Sequence, residues 1–365
     1  MARKRKADRV LFLTACGLLC AGVVMVYSAS AVLALERYGQ PLFYLVKQGA
    51  GALVGLVLLS VLMHVDYQTW RQRSVVLGGL GAVAVLLVAT LVSPAINGAH
   101  RWLVVGGVTF QPSEIAKVIA IIFTAFWLDR NMDRIDDRRC LLPIGLVVGG
   151  LALLILRQPD LGTAFTLVLI VAVMVFSAGL RYRYLIGAAA LALPLLAYEL
   201  LTKEYRMRRL FSWLDPWEDP TGDGFQLLQS LIAVGSGGWL GQGLMGGDQK
   251  KFFLPEPHTD FIYAVIAEEL GFVGATIVVL AFCVIAWRGL AIAARAEDRF
   301  GAFLAIGLTA MIAFQALVNL SVVVGVLPTK GIPLPLVSAG VSSLLTSLIG
   351  VGILLNVSQH ASDPT

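Results

Sequence analysis

The sequence predicts an all-α, polytopic integral membrane protein with about ten transmembrane helices and one long extracytoplasmic loop. Of its 365 residues, 58% are hydrophobic and only 14% are charged, whereas soluble domains carry about 25% charged residues. A helix that crosses a bilayer needs roughly 20 mainly apolar residues. The segments that approach this pattern are residues 10–35, 42–63, 75–92, 115–128, 141–156, 161–180, 184–201, 261–287, 303–327 and 334–357.

Basic residues set the orientation of these segments. The first segment follows RKRK at 3–6, which resembles the start of a signal peptide, but its apolar run is longer, so we expect a retained helix. Lys and Arg are frequent in the N-terminal segment and in alternate loops, which predicts cytoplasmic N- and C-termini. We expect a single transmembrane domain over residues 1–365, with the outer loop at about 202–260.

The long loop at 202–260 departs from the charge bias of the other outer loops. Long loops cross the membrane largely regardless of charge, so the topology stands, and an anionic ligand outside would explain the cations. They are Lys203, Arg206, Arg208, Arg209, Lys250 and Lys251. The net charge of +5 reflects the positive-inside bias and indicates no nucleic-acid partner. None of the four cysteines falls in an outer loop or at metal-ligand spacing, so we expect neither disulfides nor a metal site.

Two further patterns occur in this loop. The run GSGGWLGQG at 235–243 lacks the strand-loop-helix context and the Lys-Ser/Thr ending of a phosphate-binding loop, so we expect a flexible turn against the membrane surface. Residues 205–214 alternate cations with large apolar side chains. That pattern fits either an amphipathic helix lying among lipid headgroups or ordinary loop packing.

Four loops on the predicted outer face hold nearly all of the unusual polar motifs. They follow the third, fifth, seventh and ninth apolar segments. Their motifs are NGAHRW (97–102) with QPSEIAK (111–117), RQPDLGT (157–163), LPEPHTDF (254–261) and PTKGIPLP (328–335). Topology alone therefore predicts a site assembled from four loops at one face of the membrane.

Acidic residues in the first turns of three helices could have a structural or a functional role. Glu114 and Lys117 have i, i+3 spacing, and the pair either fixes its helix in register or lines a polar cavity near the substrate. Asp160 is either an N-cap or the partner of Arg157. At least one of the adjacent acids at 268 and 269 must face protein or water, because lipid cannot solvate it.

Asp260 is the candidate for acid–base chemistry. It lies at the apolar boundary with Glu256 and His258 close in sequence, and a carboxylate in that setting has a raised pKa. A carboxylate of raised pKa can accept a proton from a hydroxyl at neutral pH. A cap on the following helix is the alternative role, and it is compatible with the first.

These motifs together resemble the SEDS family (shape, elongation, division and sporulation) of polytopic peptidoglycan glycosyltransferases. The resemblance runs from MVYSAS at 25–30 to SSL at 342–344, with LDPW (214–217), QSLIAVGSGG (229–238) and EELG (268–271) in order between the loop motifs. One departure is SAGVSS at 338–343, where family members commonly have a tyrosine and a second glycine.

The resemblance implies polymerisation of lipid II at the outer face of the bacterial cytoplasmic membrane, with inversion. It assigns Asp260 as the general base, and cations must stabilise the departing lipid pyrophosphate. The candidate substrate-binding residues are Arg101, Lys330, Arg209, His258, Glu114 and Lys117. No nucleotide is required, and a divalent cation, Mg or Mn, is compatible with the reaction although no metal site is visible.

The implied partners are a class B penicillin-binding protein, which supplies the transpeptidase, and other division or elongation proteins. PTKG at 328–331 and YSAS at 27–30 are more similar to the division subgroup than to the elongation subgroup, which has the same chemistry. A transporter that moves lipid II without forming a bond is the alternative from another class. The Pro-containing polar motifs lie at one face rather than at mid-membrane, which favours surface chemistry.

Overall fold

The computed structural model of the protein describes residues 6–95, 98–105, 108–251 and 253–361. Within these ranges the chain forms α-helices and one short hairpin of strands. The helices are α1 (Arg9–Tyr38), α2 (Phe43–His64), α3 (Arg73–Leu91), α4 (Pro112–Asn131), α5 (Arg138–Arg157), α6 (Leu161–Ser177), α7 (Tyr182–Leu201), α8 (Glu204–Leu214), α9 (Phe225–Ser236), α10 (Ile262–Arg295), α11 (Arg299–Val323) and α12 (Val341–Gln359). Strands β1 (Leu103–Val105) and β2 (Val108–Phe110) pair antiparallel between α3 and α4.

The predicted fold class is confirmed, and each of the ten predicted apolar segments contains a helix. Seven of the described helices are long and apolar enough to cross a membrane, or eight if the bent pair α7 and α8 counts as one span. Two others fall outside this set: α4 carries four charged residues, and α6 has 17 residues. That all ten segments cross the membrane stays a prediction.

The start of the tenth segment was predicted wrongly. The sequence predicts a helix from residue 334, but α12 begins at Val341. Pro333 and Pro335 lack the backbone N–H that a helix interior requires, and Leu336 has a left-handed φ of 64°. The segment before α12 is therefore an irregular loop, and its backbone groups are available to the site described below.

The centre of the bundle consists of α4, α11 and α12. Helix α11 packs against α4, α6, α10 and α12, while α12 packs most extensively against α2. Helix α7 contacts α6 and α8 and stands at the edge. The long loop holds α8, where a helix was one of the two predicted interpretations, and α9, a twelve-residue helix that the sequence analysis missed.

Helix α10 is broken at Gly271, whose φ of 66° and ψ of −168° are not helical. A break exposes backbone groups that must find partners, because a membrane interior offers no water. The Gly-rich segment at 237–243 supplies them through four backbone hydrogen bonds: Gln242 N to Glu268 O (3.0 Å), Gly243 N to Glu269 O (3.0 Å), Phe272 N to Gly238 O (2.8 Å) and Val273 N to Trp239 O (3.2 Å). The break and the Gly-rich segment are one structural unit.

Glycine is required in this segment because two backbones approach each other closely. A Cβ at Gly237 would lie 1.9 Å from Ala267 O, and a Cβ at Gly241 would lie 2.1 Å from Glu269 O. Gly241 also has a φ of 79°, which side chains disfavour. The segment is an exposed turn, as predicted, but its glycines permit close packing of its backbone against α10, which the interpretation as a flexible turn did not include.

Gly241→Ala is expected to lower the free energy of unfolding by about 2 kcal/mol or more, because the new methyl group meets a backbone carbonyl at a positive φ. Thermal unfolding of the purified protein in detergent measures the effect. Gly235→Ala, in α9 with open space around its Cα, is the matched control and should be neutral or slightly stabilising. Equal unfolding temperatures for the two variants would contradict the tight packing.

Candidate active site

A cavity of about 110 Å³ opens at one end of the bundle, where four loops meet. Its walls come from Arg101 before β1, from residues 159–162 at the α5–α6 turn, from α8, and from residues 328–332 between α11 and α12. The structure thus brings together the loops that the predicted topology placed on one face.

The Asp260 carboxylate lies directly behind one wall of this cavity. A Cβ at Gly331 would be 3.0 Å from Asp260 Oδ2, so the absence of a side chain at Gly331 leaves the carboxylate close to the cavity. Asp260 is half-buried, and no described residue donates a hydrogen bond to its carboxylate. Burial raises the pKa of Asp260 to about 7, Glu256 adds to the rise, and Arg209 opposes it. The group therefore exists in both protonation states near neutral pH.

The backbone before α10 is held on both sides. Asn319 Nδ2, on α11, donates to Asp260 O at 2.8 Å. Ser338 Oγ donates to Thr259 O at 2.6 Å, and the loop before α12 adds a further hydrogen bond to the carbonyl of residue 258. Because three successive carbonyls are bonded, the direction in which the Asp260 side chain leaves the backbone is defined by tertiary structure.

Arg101 is positioned by the α5–α6 turn. Its Nε donates to Gln158 O at 3.0 Å, and the guanidinium also donates to Pro159 O. These hydrogen bonds fix the guanidinium of Arg101 at the cavity, and no carboxylate among the described residues forms an ion pair with it.

Lys330 and Arg209 approach the cavity from two other elements. Lys330 Nζ lies 5.6 Å from the centroid of the Phe165 ring, and burial lowers the pKa of Lys330 while Asp160 raises it. Arg209, on α8, is exposed and forms no ion pair with the residues that the structure describes. Three of the predicted cations therefore surround one cavity.

Asp160 and Arg206 also line the cavity. The N-cap interpretation of Asp160 is confirmed: Oδ1 accepts from Thr163 N at 3.1 Å, and Oδ2 accepts from Gln111 Nε2 at 3.2 Å. Arg206 was not predicted as a site residue; it is buried and pairs with Glu199 Oε2 at 2.5 Å. The sequence feature that could have identified Arg206 is its position near the start of the amphipathic segment at 205–214.

Most of the cations in the long loop already have a carboxylate partner within the protein. Four of the six pair within the protein: Arg206 with Glu199, Arg208 with Asp223, Lys250 with Glu269 and Lys251 with Asp248. Lys250 is 3% exposed and Glu269 is fully buried, so this pair is inaccessible to any ligand. Arg209 is the cation of this loop that best fits an anion at the cavity.

The adjacent acids Glu268 and Glu269 both face protein, as the sequence required of at least one. Glu268 Oε1 accepts from the backbone N–H groups of Asp248 and Gln249 at 2.8 and 3.1 Å. Glu269 accepts from Ser28 Oγ on α1 at 2.7 Å and from Lys250. These contacts hold the return half of the long loop against α1 and α10.

The predicted Glu114–Lys117 pair forms, with Nζ 3.0 Å from Oε1 and both side chains buried. Lys117 also donates to Gln315 Oε1 on α11 at 2.8 Å, and Gln315 Nε2 donates to Pro333 O at 3.2 Å. Neither charged residue lines the cavity. The pair joins α4 to α11 and supports the loop behind the site; that it also binds substrate stays a prediction.

His258 is also displaced from the cavity. It is 2% exposed, and its ring packs on Tyr44 of α2 with centroids 4.3 Å apart. Burial lowers the pKa of His258 to about 4, and Arg37 and Lys47 contribute to the lowering. The side chain is neutral at physiological pH and covered by protein, and its packing on Tyr44 supports the loop before α10; a contact of His258 with substrate stays a prediction.

No group of three or more His, Cys, Asp or Glu side chains among the described residues has the geometry to hold a metal ion.

The fold and site define a polytopic membrane protein whose unpaired carboxylate and cations converge at one end of a helical bundle. The family model FTSW_RODA_SPOVE, described as "Cell cycle protein", matches residues 8–363, and the chain belongs to this family, also called SEDS.

Relatives share nearly the whole chain. A probable peptidoglycan glycosyltransferase FtsW of Geobacter sulfurreducens is 44% identical, covering 97% of this chain and 95% of that protein. The stage V sporulation protein E of Bacillus subtilis is 41% identical, covering 98% and 99%.

Two solved structures have the same fold. One is described as "Structural coordination of polymerization and crosslinking by a peptidoglycan synthase complex"; it is 34% identical, covers 96% of this chain and 97% of that chain, and has a TM-score of 0.79. The other is the rod shape determining protein RodA of Thermus thermophilus, 28% identical, covering 98% of each chain, with a TM-score of 0.70.

Removing one member of the Glu114–Lys117 pair should destabilise the protein by about 3–5 kcal/mol, because a buried charge then lacks its partner. Glu114→Leu and Lys117→Met are the single variants. The double variant should recover most of the lost stability, since two apolar residues leave no unpaired charge. Thermal unfolding of the four proteins in one detergent checks this, and a double variant no more stable than either single variant would argue against the pair as a packing element.

Proposed function

We propose that this chain is a peptidoglycan glycosyltransferase of the division type, which polymerises lipid II at the outer face of the cytoplasmic membrane. The observation that carries the proposal is the unpaired Asp260 carboxylate beside a cavity surrounded by Arg101, Arg209 and Lys330. A base and a set of cations are the two elements that sugar transfer from a lipid pyrophosphate requires.

Asp260 accepts the proton of the 4-hydroxyl of the acceptor GlcNAc as its oxygen attacks C1 of the donor MurNAc. The new glycosidic bond forms on the face opposite to the leaving group, so the configuration at C1 inverts. The bond from C1 to the lipid pyrophosphate breaks, and negative charge develops on the departing oxygen. Arg101, Arg209 and Lys330 stabilise that charge, and the activated pyrophosphate supplies the free energy without a nucleotide.

The depressed basicity of Lys330 is compatible with this role. Burial disfavours its charged form, and an arriving pyrophosphate restores a favourable environment for the ammonium group. Asp160, which lies at the same cavity, is already engaged as a helix cap by Thr163. Asp160 is therefore a positioning group for the start of α6, and Asp260 is the group left for proton transfer.

The division role is supported by the similarity to proteins named FtsW over nearly the whole chain. Both termini lie in the cytoplasm, as the distribution of basic residues favours, which places the cavity outside. The partner is a class B penicillin-binding protein that crosslinks the strands made here. The similarity to a chain from a peptidoglycan synthase complex supports such an assembly.

The rate of polymerisation should rise with pH and level off above about pH 7, because Asp260 acts only when it is deprotonated and its pKa is about 7. Asp260→Asn should lower the rate at least a hundredfold at all pH values. Glycan chains made from purified lipid II by the full-length protein with its partner are the readout. Wild-type activity in Asp260→Asn would remove this residue from the mechanism.

Arg209→Ala should lower kcat/KM for lipid II about tenfold or more, because one cation facing the developing charge is lost. Arg208→Ala is the matched control: Arg208 is the neighbouring cation of α8, is exposed, and lies 3.5 Å from Asp223. It should change kcat/KM by less than about twofold. Equal losses in the two variants would indicate a general effect of surface charge in place of a cation at the cavity.

A further inference from the structure

We propose that Asn319 is a positioning residue for this reaction: its side-chain amide holds the segment that carries Asp260 at a fixed distance from the cavity loop at 328–332. The inference rests on the proposed function, because it assigns Asn319 through the base that it positions. Asn319 lies on α11, outside the motifs that predict the site.

One nitrogen makes both contacts. Asn319 Nδ2 donates to Asp260 O at 2.8 Å and to Ile332 O at 2.8 Å. The two carbonyls come from different loops, and Ile332 lines the cavity. Because the two N–H bonds of a planar amide diverge by roughly 120°, these carbonyl oxygens are held about 5 Å apart. A single side chain therefore sets the spacing between the base and the cavity wall.

The environment of Asn319 Oδ1 indicates that the two hydrogen bonds from Nδ2 are the reason for an asparagine at this position. Asn319 is 1% exposed, and its buried Oδ1 accepts no hydrogen bond from any residue that the structure describes. An unsatisfied buried acceptor is destabilising, so the Oδ1 atom gives no reason to prefer an asparagine here over an apolar residue of similar size. What such a residue lacks is the pair of N–H groups, and both of them are used at the site.

Gly331 links the spacing between the Asp260 segment and the cavity loop to the position of the Asp260 carboxylate. The Asp260 carboxylate lies against Gly331, which directly precedes the tethered carbonyl of Ile332. If the tether is lost, the carboxylate can move away from this wall and toward solvent. The groups that act on its charge are Glu256 from its own segment, Arg209 from α8 and Arg101 from the loop before β1.

Gln315 provides a matched control one helical turn earlier on α11. Its Nε2 donates to Pro333 O at 3.2 Å and to Ser343 Oγ at 2.9 Å, and its Oε1 accepts from Lys117. It is buried like Asn319 and binds the same loop. It does not contact the segment that carries Asp260.

The experiment measures polymerisation of lipid II between pH 5.5 and 9 by the full-length protein with its partner. It compares the wild type with Asn319→Leu, Asn319→Ser, Gln315→Leu and Asp260→Asn. In Asn319→Leu we expect kcat to fall about tenfold or more and the acidic limb of the pH profile to move about one unit lower, since a more solvated carboxylate has a lower pKa. Asn319→Ser retains one hydrogen-bond donor, so its kcat and its acidic limb should lie between those of the wild type and Asn319→Leu. Gln315→Leu should unfold at a lower temperature but keep the wild-type acidic limb.

Each outcome assigns Asn319 to one role. If activity falls only in proportion to the folded fraction while the acidic limb stays in place, Asn319 is a packing residue and the inference is overturned. The same conclusion follows if neither Asn319 variant folds, or if both have wild-type profiles. Failure of the proposed function is recognised separately, because the wild type would then make no glycan or Asp260→Asn would remain active.

Discussion

The break in α10 is the constraint on which the rest of this structure depends. A transmembrane helix that loses its hydrogen-bond ladder at Gly271 leaves carbonyls and N–H groups that lipid cannot satisfy. The Gly-rich segment at 237–243 satisfies them with its own backbone, and it can approach only because Gly237 and Gly241 lack side chains. The path of the long loop through the protein follows from this pairing.

Buried charge completes the attachment of the loop and links it to the site. Lys250, Glu269 and Ser28 form a sequestered cluster, with Nζ 2.5 Å from the Glu269 carboxylate and 3.0 Å from Ser28 Oγ. Ten residues beyond Lys250 the chain reaches Asp260. A carboxylate that is to act on a substrate needs a defined position. The segment that carries Asp260 is held in place by the anchored loop on its N-terminal side and by its contact with α11.

The parts of the site that depend on topology and charge could be predicted from the sequence. Alternate loops of a polytopic protein share a face, so Arg101, Asp260 and Lys330 could be placed together from hydrophobic segments alone. Reasoning from charge alone does not separate a binding role from a structural one for Glu114 and His258, because an ionisable residue that is expensive to bury can serve either. The structure shows both of them covered by protein.

The features that sequence reasoning missed share a different cause. Asn319 lies in an apolar helical segment, where its contacts with two distant loops leave no local pattern. The packing of the Gly-rich run was not predicted because glycine permits both a flexible turn and close contact between backbones, and only the position of α10 distinguishes the two. The residues next to a backbone group in sequence do not reveal a hydrogen-bond partner that is distant along the chain.

The pairing at Gly271 has a consequence for biosynthesis. The segment at 237–243 and Lys250 are both translated before α10, and Ser28 is translated far earlier. When α10 is inserted, every partner of its broken turn and of Glu269 therefore already exists in the nascent chain. The second part of α10, after Gly271, can enter lipid as a simple apolar helix. The first part acquires its native environment only when it docks onto segments of the chain that were synthesised earlier.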